Sequence, residues 1–161
     1  MLDFSHIPTP YGAADVQVFT GNATVQGAQW VTWQKPRGKT MCNIVLLGCG
    51  GNGGTGVIGA AGGGGGGGGS GAQTSITVPL WAIPDILYLS LGAAQGIHSY
   101  VSITTNNTAN NLLAYAGSGN AGGNAVTTAA GAAGTAGSSG SSSTMPLGWQ
   151  WVDTSIAGQA G

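Results

Sequence analysis

Residues 48–71 read GCGGNGGTGVIGAAGGGGGGGGSG, and within them eight glycines run without a break. Strand-like sequence flanks the stretch, CNIVLLG before it and SITVPL after it. Three structures are open to such a stretch. One is a flexible Gly/Ser linker. Another is a phosphate-cradling loop. The third is an ordered loop whose backbones approach closely because no Cβ intervenes, in extended, polyproline-II-like form. The phosphate loop needs a Gly-Lys-Ser/Thr ending, and no lysine follows Lys39. Linker and ordered loop separate on magnitude. Fixing one backbone costs about 1–2 kcal/mol, hence roughly 8–16 kcal/mol for the tract, as much as a whole domain's stability. Gly62, Gly63, Gly64, Gly65, Gly66, Gly67, Gly68 and Gly69 are therefore expected to be ordered only where neighbouring copies pack their loops together, which makes them inter-subunit contacts.

Composition points the same way. Charged residues are 4 % of the 161-residue chain, against about 25 % in ordinary soluble domains. The cations are Lys35, Arg37 and Lys39 alone, and there is no glutamate. Nucleic acid requires a broader basic footprint. So neutral a chain has little electrostatic protection against association. Residues 1–12 lack the basic and apolar regions of a Sec signal, and no apolar run reaches the ~18 residues of a membrane span. The expectation is cytoplasmic synthesis, no membrane insertion, and a final place in a virion or outside the cell. Cys42 and Cys49 flank one strand-like run spanning about 23 Å, too far for a mutual disulfide. Their spacing, with no histidine nearby, is a poor metal site. Both read as buried small hydrophobes, with an intermolecular disulfide as the lesser alternative.

The chain divides into an arm, residues 1–15, and a glycine-rich β domain, residues 16–161, with the insertion at 48–71 and a low-complexity segment at 117–144. The arm carries Leu2, Phe4, Ile7 and Tyr11 beside Pro8 and Pro10, which cannot donate to a central ladder. It is expected to lie across a neighbouring subunit. Strands are expected at 16–20, 30–33, 42–47, 75–79, 86–91, 98–104, 112–116 and 149–156, separated by turn signals. Residues 35–38 form a turn, with Pro36 setting φ and Gly38 free to take positive φ. No segment shows 3.6-residue periodicity with caps. The fold class expected is all-β: an antiparallel β-sandwich, jelly-roll-like, with long glycine-rich loops. Ile44, Leu46, Ile86, Tyr88 and Val101 are expected to line its core. Val45, Leu47, Leu87 and Leu89 fall on the opposite faces, so at least one sheet is expected to be covered on both sides.

Catalytic chemistry is not visible. The aspartates and histidines are scattered, His98 reads as structural, and no serine sits in a G-x-S-x-G elbow. No catalytic residue, cofactor or metal ligand is assigned, and the chain is expected not to be an enzyme. Of five tryptophans, Trp149 and Trp151 alternate so that both indoles share a face, which makes them candidate interface residues.

The order of elements resembles the glycine-rich structural proteins, tail-fibre or virion components, of tailed bacteriophages, especially aquatic phages. Phe19-Thr20 leads to a Trp-x-Lys-Pro-x-Gly element (Trp33, Lys35, Pro36, Gly38). A buried strand at 44–47 follows, then the glycine insertion and Val78-Pro79. Ile83-Pro84-Asp85-Ile86-Leu87 and Ser99-Tyr100-Val101-Ser102 come next, and the tail is Ala157-Gly158-Gln159-Ala160-Gly161. Cys49 and Asn52 interrupt the family's glycine run, and the arm is longer. The resemblance implies a self-assembling structural protein of a virion or phage-derived fibre, with itself as partner and other virion proteins around it. The alternatives are a host-recognition tip that binds surface glycans and a cellular extracellular filament subunit.

Overall fold

The computed structural model describes residues 14–58, 62–126, 129–132, 139–140 and 153–161. Its regular structure is β: β1 (Val31–Gln34), β2 (Met41–Leu47), β3 (Gln73–Pro79), β4 (Ile86–Ser90), β5 (Ser99–Ser102), β6 (Leu112–Ala116), β7 (Ser139–Gly140) and β8 (Asp153–Ile156). Between Pro79 and Pro84 a single 3-10 turn, Leu80–Ala82, fits where the prolines forbid a longer helix. The strands form two sheets, ordered β1-β4-β5-β6-β7 and β2-β3-β8. Every ladder between them is antiparallel. Gly38 turns the chain from β1 to β2 with φ of 75°, as the Lys-Pro-Arg-Gly signal predicts.

Both sheets contribute to one apolar cluster. Leu46, Ile76 and Val78 come from β2 and β3, and Leu87, Leu89, Val101, Leu113, Ala114 and Ala116 from β4, β5 and β6. Buried Thr74 of β3 ties the sheets by donating to the Tyr115 carbonyl of β6 at 2.7 Å. The alternation in β2 turns Cys42, Ile44 and Leu46 inward, as expected.

Two expectations, the face of β4 and the strand at 16–20, need correction. In β4 it is Leu87 and Leu89 that face the core, while Ile86 is exposed and Tyr88 half-buried. The register explains this. Leu87 and Leu89 stand opposite Trp33 and Val31 of β1, which pack on the same cluster, and strand partners share a face. Coverage on both sides is found in the five-stranded sheet, where β5 is buried on both faces and β6 nearly so, whereas the outer face of β2 is open: Met41, Val45 and Leu47 are 49 %, 56 % and 63 % exposed. Residues 16–20 form no strand. They run exposed until Asn22 and Ala23 donate to the Leu91 carbonyl.

Candidate functional site

Where the regular strands stop, the chain continues as a second kind of structure. Residues 48–57 prolong β2, residues 63–72 lead into β3, and residues 117–125 prolong β6. Their hydrogen bonds recur every third residue. Gly48, Gly51, Gly54 and Val57 donate to the carbonyls of Ala72, Gly69, Gly66 and Gly63. Gly66, Gly69 and Ala72 donate onward to Gly123, Asn120 and Gly117. Gly119, Gly122 and Ala125 close the ring by donating to Cys49, Asn52 and Thr55. Distances run from 2.7 to 3.1 Å. A three-residue period with bonds radiating to several neighbours is that of polyproline II chains packed side by side, the geometry collagen also uses.

Two further segments join the bundle. Gly123 donates to Ala132 and Gly131 to Gly64, which brings in residues 129–132. Ser70 donates to the Gln159 carbonyl, and the Gln159 amide donates back to Ser70 Oγ at 2.7 Å. Residues 63–72 therefore lie at the centre, with four other segments around them. A Cβ built on Gly65, Gly68 or Gly71 would collide with the carbonyls of Gly54, Gly51 or Gly48. On Gly63 or Gly66 it would collide with those of Ala129 or Ala132, and on Gly67 with Gly161. Successive glycines thus face different neighbours, which is why glycine is needed at nearly every position from Gly63 to Gly68, with Gly64 the open exception. Segment 48–57 is peripheral, and only one position in three is blocked there: a Cβ would collide with backbone at Gly48, Gly51 and Gly54, but would make no more than ordinary contact at Gly50, Gly53 and Gly56. Cys49 and Asn52, which interrupt the glycine run, stand with Thr55 at an unblocked position of a Gly-x-Gly repeat.

This corrects the entropic expectation. The contacts that offset the ordering of Gly62–Gly69 come from the same chain, so the tract does not require neighbouring copies. Of the other candidate contact residues, Leu2, Phe4, Ile7, Tyr11, Trp149 and Trp151 lie outside the described residues.

The nearest approach to a catalytic pair is His98 with Ser118. The Ser118 amide donates to His98 Nδ1 at 2.9 Å, and Ser118 Oγ lies 3.3 Å from the same nitrogen. With that lone pair occupied, the neutral ring carries its proton on Nε2, and the contact ties β5 to the foot of the bundle. Cys42 and Cys49 are free and half-buried, and burial pushes both thiols up, away from the reactive thiolate. Cys49 donates to the Gly92 carbonyl. Among the described residues no group of three His, Cys, Asp or Glu could hold a metal ion. Nor is any helix there long and apolar enough to cross a membrane.

At the opposite ends of β2 and β3 lies an open cleft of about 610 Å³, with Lys35, Arg37, Lys39, Trp81 and Asp85 in its lining. Lys35 Nζ donates to the carbonyls of Leu80 and Ile83, both at 2.9 Å, and to Asp85 Oδ1 at 2.8 Å. The hydrogen bond from Lys35, then its charge, holds the Asp85 carboxyl below its usual value. The pair's small, salt-screened contribution is therefore present above the ordinary carboxylate range and lost as pH falls through the lowered value. Lys35→Met is expected to move the Asp85 titration, followed by carboxyl NMR, back up toward that range. An unmoved titration would contradict the assignment.

No family model, curated protein or solved structure matches the chain.

Proposed function

We propose that the chain is a non-enzymatic structural protein of a phage virion or phage-derived fibre that assembles with copies of itself. The observation that carries the reading is the outer face of β2. Met41, Val45 and Leu47 form an exposed apolar row on a strand at the edge of its sheet, joined across Gln73 by exposed Ile156. Soluble proteins blunt such edges with charge, and this chain has almost none. The tailed-phage element rests on the resemblance in element order. Within this proposal the two sheets, sharing one apolar cluster, act as a jelly-roll-like sandwich body that supports the bundle.

Sedimentation and electron microscopy of the purified chain test the proposal. Oligomers or filaments are expected at micromolar concentration, and Val45→Lys with Leu47→Lys is expected to yield folded monomer. Wild-type protein that stays monomeric would contradict it.

One observation favours the host-recognition alternative. At the end of the bundle farthest from the sheets, where Thr55 accepts from Ala125 and Val57 donates to Gly63, Ile58 and Val126 are exposed. A rigid post presenting loops suits a receptor-binding tip. Host-cell adsorption that is lost on Ile58→Ser with Val126→Ser, with assembly unchanged, would support that reading. Unchanged adsorption would count against it.

A further inference from the structure

We infer that the cleft at the pole opposite the glycine bundle is a binding site for a carboxylate-bearing saccharide. All three cations of the chain converge on it, although nothing in a neutral β domain requires them together. The three donors of the Lys35 ammonium are spent on Leu80, Ile83 and Asp85. Lys35 is thus the brace that joins the end of β1 to the start of β4, reinforced by its own amide donating to the Asp85 carbonyl. The brace fixes Asp85 while leaving its carboxylate 90 % exposed, an acceptor for hydroxyl groups. Arg37, exposed on the turn before Gly38, has no partner among the described residues. Its planar fork suits a carboxylate. Trp81, carried on the 3-10 turn, is 67 % exposed on the wall, and that exposed indole surface suits a sugar's C–H face. Carboxylate, hydroxyls and a C–H face are together what a sugar acid displays, and the volume lies within the range of small-ligand sites. The inference does not depend on the assembly reading.

The test is titration of the full chain with galacturonate trimer, a glucuronate disaccharide and sialyllactose, with lactose and inorganic sulfate as controls, read by NMR at the Trp81 indole and the Gly38 amide. At least one acidic saccharide is expected to bind saturably, and lactose is not. Arg37→Gln and Trp81→Ala, both on the surface, are each expected to weaken binding about tenfold or more, and added salt to weaken it further. Lys39→Gln provides a second charge variant. Absence of saturable binding by all three acidic saccharides would overturn the inference. So would equal binding of lactose, or acidic-saccharide binding that survives Trp81→Ala and is matched by sulfate, which would mark a plain anion site.

Discussion

Gly66→Ala is expected to cost roughly 3 kcal/mol, lowering Tm by about 6–12 °C in a chain of this size. Gly64→Ala, two residues away in the same unbroken tract, is expected to stay within about 0.5 kcal/mol of wild type. The two glycines are indistinguishable in sequence. In the structure a Cβ on Gly66 would meet the backbone of Ala132, whereas one on Gly64 has nothing within 4 Å. The obstacle at Gly66 is main chain that is itself hydrogen-bonded, since the Ala132 carbonyl accepts from Gly123 at 2.6 Å. Relief therefore means breaking the bundle rather than turning a side chain. Gly65→Ala and Gly68→Ala, which meet the Gly54 and Gly51 carbonyls, are expected to behave like Gly66→Ala. Thermal unfolding of the four variants checks the pattern. Equal effects at positions 64 and 66 would contradict the packing described.

The second large effect is expected in the core. Leu87→Ala should cost about 2–5 kcal/mol, because Leu87 is 1 % exposed and among the largest fully buried side chains. Its neighbour Ile86, 41 % exposed, should cost about 1 kcal/mol or less when truncated to alanine. The same contrast is expected between Leu46→Ala and Leu47→Ala on β2. Chemical denaturation reads both pairs, and a reversed order at 86 and 87 would place the wrong face of β4 against the core.

Those pairs show what the sequence conveys and where it falls silent. β-rich runs bounded by turn residues place most strands well, and β6 falls on the expected 112–116. The inward face of β2 is legible because Asn43 breaks its outer side. The face of β4 is not, because ILYLS is apolar on both sides and only pairing with β1 decides between them. Residues 16–20 look like a strand by composition yet pair with nothing in the ladders, since pairing is a property of two segments rather than one. The glycine tract invites an entropic argument that is sound per residue. It fails because the compensating contacts are non-local, from residues more than fifty positions away as well as from the adjacent 48–57. One local signal does announce the bundle: Gly-x-Gly recurring from Gly48 to Gly56, with the blocked Gly48, Gly51 and Gly54 three residues apart and Cys49, Asn52 and Thr55 in an open position. The cleft is half legible, since Lys35, Arg37 and Lys39 cluster in sequence, but Trp81 and Asp85 reach it only through the fold.

Amide hydrogen exchange across residues 63–72, on protein diluted or mutated to monomer, separates a glycine bundle held within one chain from one held by neighbouring copies. The bundle predicts slow exchange at Gly66, Gly69, Ser70 and Ala72, whose amides are bonded to the surrounding segments. It predicts fast exchange at Gly64, Gly65, Gly67 and Gly68, giving a protection pattern that follows the three-residue period. Uniformly fast exchange in the monomer, with protection appearing only on assembly, would contradict it.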